Sequence, residues 1–415
     1  MKLGKYSFGV GDRFARQGEA QLKAMIMAQQ AGISVVPVWN KSHREHSTIG
    51  THPEDVRREA DAAVAALGWQ GDYHVDADHI GLSNVDLFIE ACDFYTLDVA
   101  DFTGQRATEA EINAFADRHA DLMGDLRIPG IEEPLPIDRE TVTSIAANVL
   151  LAVQQAGRIY RHIEAARGKG TFVTEVSMDE TDRPQTPIDI LFILAAIADE
   201  GIPAQTIAPK FTGRFNKGVD YVGDPAQFER EFTADLAVIR FAVERFGLPG
   251  NLKLSVHSGS DKFSLYPIIG RAIREADAGL HIKTAGTTWL EELAGLAEAG
   301  GEGLDIVRDT YRQAYGRYDE LCAPYASVID IAREKLPHPA TFASWDSRRV
   351  MASLQHNPDC PDYDSSVRQL LHVGYKVAAE MGARYTDALK THRDTVAHHV
   401  TENIYERHIR RIFAI

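Results

Sequence analysis

Eight short segments rich in β-branched or aromatic residues alternate with helical patterns along the chain, and this alternation is its strongest constraint on the fold. Strands that alternate with helices form parallel sheets, because each helix returns the chain to the same end of the sheet. Eight such units in succession favour a closed (β/α)8 TIM barrel over an open doubly wound sheet, although periodicity alone does not show closure. The predicted strands are Tyr6–Val10, Ser34–Val38, Tyr73–Asp76, Phe94–Val99, Phe172–Val176, Ala204–Ala208, Leu252–Val256 and His281–Thr284.

Two regions fall outside this repeat. Residues 103–170 are predicted as a mainly helical insertion after the fourth strand, and helical patterns continue from about residue 290 onward. We therefore expect a barrel over residues 1–289 that carries the insertion, with a helical C-terminal extension over residues 290–415 packed on it. The last stretch, from Ser366 to Phe413, is predicted as one long helix or a helix pair.

Charge and cysteine content narrow the class of protein. The formal charge of −16 argues against a nucleic-acid partner, but it leaves room for a small anionic substrate bound by a few converging basic residues. Three scattered cysteines are typical of reduced thiols in the cytoplasm rather than of a disulfide framework. No stretch approaches the ~18 apolar residues of a membrane span, and the opening run MKLGKYSFGVGDRF has no apolar core of signal-peptide length. We expect a cytoplasmic protein without a membrane partner, and homo-oligomerisation stays open.

Histidine and carboxylate side chains follow several predicted strands, where a barrel places its catalytic groups. Asp78 and His79 follow the third strand, and His257 follows the seventh. Imidazole and carboxylate suit Zn²⁺, Mn²⁺, Co²⁺ or Ni²⁺, and a catalytic site needs about three protein ligands plus an open position. We predict that His79 and His257 bind one divalent ion, with zinc favoured. Asp220 and Glu175 are the alternatives for the third ligand, and Asp220 is preferred.

Basic residues are predicted around the same barrel mouth. Lysine is a point-charge partner for carboxylate or phosphate, and arginine can form two parallel hydrogen bonds with either group. Together these residues predict an anionic substrate. An alternative is that Lys210 or Lys283 forms a Schiff base, which would leave the histidines without a role. The basic set is Arg13, Lys41, Lys210 and Lys283, and Asn40 adds a polar side chain beside it.

The sequence gives no sign of a nucleotide cofactor. A dinucleotide-binding fingerprint, G-x-G-x-x-G, would follow a strand and open a helix. The run GVGDRF at residues 9–14 follows the first strand but lacks the third glycine. Chemistry that depends on a bound dinucleotide is therefore not expected.

Two runs resemble motifs of class II, metal-dependent aldolases. HVDADHIGL at residues 74–82 resembles their Asp-His strand end, which implies an acid/base role for Asp78 and a metal-binding role for His79. VHSGSD, followed by a helix and HIKTAGTTW, resembles their His-Gly-Gly-Ser loop and the anion-binding strand after it. This second resemblance implies that His257 binds the metal and that Ser258 and Thr284 contact the substrate.

Two further runs resemble acidic and ligand-bearing segments of the same aldolases. TEVSMDE at residues 174–180 resembles their acidic fifth strand and catalytic glutamate loop, which implies site roles for Glu175, Asp179 and Glu180. IAPKFTGRFNKGVDYVG at residues 207–223 resembles their sixth segment. It departs from the aldolase pattern at one position: where the aldolases carry another metal-binding histidine, the nearest residue of this chain is Asp220.

Over its full length the chain is similar to the tagaturonate epimerase family. The segments that carry this resemblance include GVGDRF, VWNKSHREHSTIG and the helical C-terminal part. The resemblance implies a metal-dependent barrel that interconverts D-tagaturonate and D-fructuronate, sugar acids of hexuronate catabolism, at C4. Reversible cleavage of the C3–C4 bond would explain that change, with Asp78 as one acid/base and Asp179 or Glu180 as the second. The alternatives are a class II aldolase that releases its fragments, acting on a sugar acid or sugar phosphate, and an inactive barrel that serves as a binding subunit.

Overall fold

A closed barrel of eight parallel strands forms the centre of the computed structural model, which describes residues 1–99, 102, 104–179, 181, 183–284 and 286–414. The barrel strands are β1 (Tyr6–Gly11), β2 (Val36–Ser42), β3 (His74–Ile80), β4 (Phe94–Asp98), β7 (Val173–Ser177), β8 (Thr206–Ala208), β9 (Lys253–Val256) and β10 (Leu280–Thr284). The remaining strands, β5 (Gly124–Leu126) and β6 (Leu135–Ile137), form a separate hairpin. Pairing of β1 with β10 closes the barrel, so the predicted TIM barrel is confirmed and the open sheet is excluded.

Every predicted barrel strand is present, but β2 and β3 continue further than the sequence indicated. Asn40 pairs with Asp76, and Ser42 pairs with Asp78, in a continuous parallel ladder. The polar side chains suggested that both strands had ended, whereas ladder hydrogen bonds are made by the backbone whatever the side chain. Several predicted site residues therefore lie on strands rather than in loops.

Helices surround the barrel and cover its sides. The helices up to the last barrel strand are α1 (Gly18–Gln30), α2 (His43–Ile49), α3 (Pro53–Leu67), α4 (Glu109–Arg118), α5 (Arg139–Arg167), α6 (Pro187–Asp199), α7 (Pro225–Phe246) and α8 (Tyr266–Glu275). The helices after β10 are α9 (Thr287–Ala299), α10 (Gly301–Gly316), α11 (Tyr318–Cys322), α12 (Pro339–Ala343), α13 (Ser347–Leu354), α14 (Ser365–Val373), α15 (Tyr375–Met381), α16 (Ala383–Thr391), α17 (Arg393–Glu402) and α18 (Arg410–Phe413).

Helix α6 is a barrel helix that the insertion covers. Its run from Ile190 to Ile197 is apolar on every side and fully buried. A helix that is apolar all round must be covered on all its faces, and α6 lies in contact with both α5 and α7. Thr186 begins it as an N-cap in a capping box with Asp189.

The predicted long helix or helix pair over residues 366–413 is wrong, because the structure divides this stretch into short helices. The helical run breaks at Gly382, whose backbone angles (φ 57°, ψ −124°) are not helical and are readily adopted only by glycine. A π-helical turn follows over Asn403–Ile409. The segment therefore folds around the barrel, with α17 against α9 and α1, and α18 against α8.

None of the helices in the described parts of the chain is both long enough and apolar enough to cross a lipid bilayer.

Candidate active site

A β-bulge at the carboxyl end of β3 places His79 in a cavity at the mouth of the barrel. The register between β3 and β4 shifts between Ala77 and Ile80, and His79 has a left-handed backbone with φ 55°. A bulge bends its strand and redirects a side chain, and strained backbone of this kind clusters at functional sites. The cavity has a volume of about 430 Å³, within the roughly 300–1,000 Å³ typical of small-molecule sites.

The loop after β9 brings His257 to the same cavity. Ser258 also has a left-handed backbone (φ 48°) and lines the cavity beside His257. The Gly259 N–H donates a hydrogen bond to the carbonyl oxygen of Lys283 at 3.0 Å. A Cβ atom at Gly259 would lie 2.8 Å from the side chain of Ile282, so only glycine fits where this loop folds back onto β10.

A buried polar network ties this loop to the C-terminal helices. Arg368 is fully buried, donates to the carboxylate of Asp261, and donates through Nε to the carbonyl oxygen of Gly218 at 2.5 Å. The Asp261 N–H donates to Nε2 of His408 at 3.1 Å, and Nδ1 of His408 lies 2.8 Å from the carbonyl oxygen of Asn403. His408 thus contacts the loop through Nε2 and its own helix through Nδ1. The loop that carries His257 is thus held by residues far along the chain.

The two histidines form a compact group with Asp179. Their ring centroids are 5.2 Å apart, and one ligand atom from each of His79, Asp179 and His257 lies within 4.8 Å of the other two. Nδ1 of His79 lies 3.1 Å from Asp98, and Nε2 of His257 lies 2.7 Å from Glu175. Each ring therefore has one nitrogen oriented by a carboxylate, as in metal-bound histidines. The other nitrogen of His257, Nδ1, faces Asp179 at 3.2 Å.

Lys283 lies beside this group and contacts three carboxylates. Its Nζ atom is 2.8 Å from Asp76, 2.7 Å from Asp78 and 2.9 Å from Glu175. Burial lowers the pKa of Lys283, but the three carboxylates outweigh burial and hold the pKa well above its usual value. A Schiff-base nucleophile must be a free amine, so the permanently charged Lys283 does not favour that alternative.

Negative charge dominates the surroundings of both imidazoles. Burial lowers the pKa of His79, but Asp78, Asp179 and the hydrogen bond to Asp98 raise it to about 10. Burial likewise lowers the pKa of His257, while Asp179 and Glu175 raise it to about 9. The negative field of these carboxylates would also stabilise a bound cation, which would replace the protons on His79 and His257.

Asp220 and Glu175, the predicted alternatives for the third ligand, have other contacts. The carboxylate of Asp220 accepts hydrogen bonds from the Ser264 N–H at 3.1 Å and from the Tyr221 N–H at 2.7 Å. Glu175 contacts His257 from the strand side, as described above. The structure instead groups Asp179, predicted as an acid/base, with both histidines, and Ser177 fixes it through a hydrogen bond of 2.5 Å.

The remaining predicted residues divide into two sets. Arg13, Asn40, Ser258, Lys283 and Asp78 line the cavity. The ammonium groups of Lys41 and Lys210 instead donate to the backbone, to Arg13 O at 2.6 Å and to Thr181 O respectively, and Thr284 donates to Gly9 O at 2.7 Å. Lys41 and Lys210 therefore stabilise loop backbone, and Thr284 links β10 to β1. Glu180 lies outside the described residues.

Some cavity residues were not identified from the sequence. Lys217 comes from the loop after β8, and Tyr325 and Val328 come from the C-terminal extension after α11. Lys217 stands within a run already singled out, so its charge was a usable signal. Tyr325 carries no comparable signal, because only tertiary packing brings the extension to the barrel mouth.

Comparison with known proteins agrees with this architecture. A sequence profile described as tagaturonate epimerase matches residues 1–412. The tagaturonate/fructuronate epimerase of Thermotoga maritima is 28% identical over 420 residues, which cover 96% of this chain and 80% of that protein.

Two crystal structures of the fructuronate-tagaturonate epimerase UxaE from Cohnella laeviribosi share the fold. The native form has a TM-score of 0.79 and 22% identity, covering 98% of this chain and 81% of that one. The two-glycerol complex has a TM-score of 0.81 and 23% identity, covering 99% and 82%. The profile match over nearly the whole chain confirms the resemblance found in the sequence: this protein belongs to the tagaturonate epimerase family and is an isomerase.

Proposed function

We propose that this chain interconverts D-tagaturonate and D-fructuronate at C4 by reversible cleavage of the C3–C4 bond, assisted by one divalent metal ion. Membership of the family supports the sugar-acid substrate. The observation that carries the metal proposal is the convergence of His79, Asp179 and His257 within 4.8 Å. The likeness of the barrel-mouth motifs to class II aldolases supports the bond cleavage.

The donor set fits zinc, with manganese, cobalt and nickel as alternatives. Catalytic zinc sites use about three nitrogen, oxygen or sulfur ligands and keep one position open. His79, His257 and Asp179 supply such a set, and Asp98 and Glu175 orient the two rings. A divalent ion bound there would act as a Lewis acid toward the C2 carbonyl of the substrate.

The position of the ketone dictates the reaction. The hydrogen on C4 is not adjacent to the C2 carbonyl, so enolisation cannot remove it. If a base takes the proton of the C4 hydroxyl, an aldehyde forms at C4 as the C3–C4 bond breaks, and the bonding pair moves into an enediolate of C1–C3. Rotation of the aldehyde, followed by re-addition to its opposite face and return of the proton, gives the epimer without an external oxidant.

Asp78 is the best placed base in the described structure. It lines the cavity, and its Oδ1 atom lies 2.7 Å from Nζ of Lys283. Burial raises the pKa of Asp78, but Lys283 and His79 outweigh burial and lower it to about 2. Asp78 is therefore ionised at neutral pH, the form that accepts a proton. Glu180 stays a prediction for the second acid/base, since the position of Asp179 favours a role as ligand.

Removing metal from the purified enzyme tests the proposal. After EDTA treatment and gel filtration, epimerisation of D-tagaturonate is expected to fall to background and to return with one equivalent of Zn²⁺. Full activity of the metal-depleted protein would contradict the metal assignment. Accumulation of three-carbon products would favour the aldolase alternative.

Isotopes test which bond breaks. In D₂O the C4 hydrogen is expected to remain in the product, with normal ¹³C kinetic isotope effects at both C3 and C4, because the C3–C4 bond breaks. Deuterium at C4 in the product would instead show that the C4–H bond is broken, and would rule out the aldol route.

Metal affinity is expected to rise with pH. The raised pKa values, about 10 for His79 and about 9 for His257, mean that both rings are protonated in the metal-free protein at neutral pH. Protonation of the two rings stabilises the folded, metal-free protein. This contribution is fully present below the ordinary histidine pKa of 6.5 and is lost as pH rises through about 9 to 10. Metal binding requires neutral imidazoles and so releases protons, about two per ion at pH 7. Calorimetric titration with Zn²⁺ in buffers of different ionisation enthalpy measures this number, and a value near zero would be inconsistent with the ligand set.

A further inference from the structure

We propose that Lys217 and Asn40 bind the carboxylate of the substrate and hold that half of the molecule while the C4 aldehyde turns. The turning step rests on the proposed function. The binding step does not, because a sugar acid must be bound whichever bond breaks.

Most basic side chains near the cavity already have partners. Lys283 contacts three carboxylates, and Lys41 and Lys210 donate to backbone carbonyls. Arg13 is paired through Nε with Glu45 at 3.0 Å and stacks over the ring of Tyr375. Their charges are therefore largely neutralised or held away from a ligand.

Lys217 differs from these residues. Its side chain lines the cavity, yet its ammonium forms no ion pair and no side-chain hydrogen bond with any residue in the described ranges. Burial lowers the pKa of Lys217, and the charge of Arg13 lowers it further, while Glu45 acts in the opposite direction. A half-buried ammonium without an acidic partner is stabilised when an anion binds beside it.

Asn40 gives an independent indication that a polar ligand enters this cavity. The residue is 1% exposed and lines the cavity, and neither Oδ1 nor Nδ2 has a hydrogen-bond partner within the part of the chain that the structure describes. Buried amides are almost always paired, because an unpaired donor or acceptor loses its hydration without compensation. Its amide nitrogen can donate to a carboxylate oxygen, and its amide oxygen can accept from a sugar hydroxyl.

The cavity thus offers two kinds of partner to one substrate. The group of His79, Asp179 and His257 suits the C2 carbonyl, and the unpaired cation at Lys217 suits the C6 carboxylate. Rotation about the C4–C5 bond turns the aldehyde while the carboxylate stays in place. An anchored carboxylate therefore explains how a bond-breaking enzyme retains its fragment instead of releasing it as an aldolase does.

The test compares Lys217→Met, which keeps the length of the side chain without its charge, with Lys217→Arg, which keeps the charge. In Lys217→Met, KM for D-tagaturonate and the inhibition constant of D-glycerate, a small carboxylate, are expected to rise about 10- to 100-fold. The inhibition constant of glycerol, which has no charge, and the bound zinc are expected to stay the same. Lys217→Arg is expected to recover most of the affinity for D-glycerate. Thermal unfolding shows whether each variant is folded.

Unchanged D-glycerate inhibition in folded Lys217→Met would overturn the subsite, whatever the mechanism. Asn40→Asp adds a negative charge at constant size and is expected to weaken D-glycerate binding in the same way, and unchanged binding there would remove Asn40 from the subsite. Release of three-carbon products by Lys217→Met, but not by the unaltered enzyme, would support fragment retention. Weaker D-glycerate binding together with deuterium at C4 would keep the subsite and reject the bond-cleavage mechanism.

Discussion

Replacing His257 with alanine is expected to abolish metal binding and to lower epimerase activity by at least about a thousand-fold. Loss of an outer partner of a metal ligand alone costs roughly 10- to 100-fold in affinity, so loss of a ligand costs more. His257 also lies within 3.2 Å of Asp179, so its removal takes away one of the two contacts that orient that ligand and leaves the hydrogen bond from Ser177. The barrel is expected to stay folded, because Lys283 still neutralises Glu175 at 2.9 Å.

Metal content, circular dichroism and turnover of D-tagaturonate measured on one preparation check this prediction. His398→Ala is a matched control, since that histidine is 72% exposed and lies on a surface helix. The control should retain both metal and activity. A folded, metal-free His257→Ala protein with full activity would end the proposed role of the metal.

Replacing Asp78 with asparagine is expected to leave metal binding intact and to reduce kcat by about 10²- to 10⁴-fold, the usual contribution of a general acid/base. Asparagine has nearly the same shape and can still accept the hydrogen bond that Lys283 donates at 2.7 Å. It cannot take the proton of the C4 hydroxyl. Turnover number and zinc content, measured together, separate this effect from loss of the metal.

Asp76→Asn is the matched control for Asp78→Asn. Asp76 contacts the same lysine at 2.8 Å and is also buried, but it lies on β3 two residues before Asp78 and does not line the cavity. Burial raises the pKa of Asp76 to about 7, whereas that of Asp78 is lowered to about 2, so loss of the charge is expected to cost less at Asp76. Its turnover is expected to fall far less. Equal losses in both variants would show that the network around Lys283, rather than a base at residue 78, explains the effect.

The fold could be predicted because its evidence is local. The alternation of apolar strands with capped helices can be recognised from short stretches of sequence. Eight such units can pack in only a few ways. The lengths of β2 and β3 were underestimated, since Asn40 and Asp78 are polar residues buried within a ladder. Short helices near the C-terminus were missed because their boundaries depend on packing against the barrel.

The candidate site could be predicted only in part. His79 and His257 were identifiable because imidazole is an uncommon side chain at strand ends and suits a metal. Asp179 was assigned a different role, because its approach to the histidines depends on the turn that Ser177 holds after β7. Lys217 becomes informative only when the structure shows which neighbouring cations already have partners.

The buried contacts of Asp261 have a consequence for how the enzyme is made. Its partners Arg368 and His408 lie 107 and 147 residues further along the chain, so a ribosome must synthesise almost the whole protein before the loop after β9 has both of them. Domains generally fold as units during synthesis. Barrel strands can therefore pair on the nascent chain before the loop that carries His257 gains its contacts with the last helices. A chain truncated before Arg368 would therefore lack the contacts that hold the loop carrying His257.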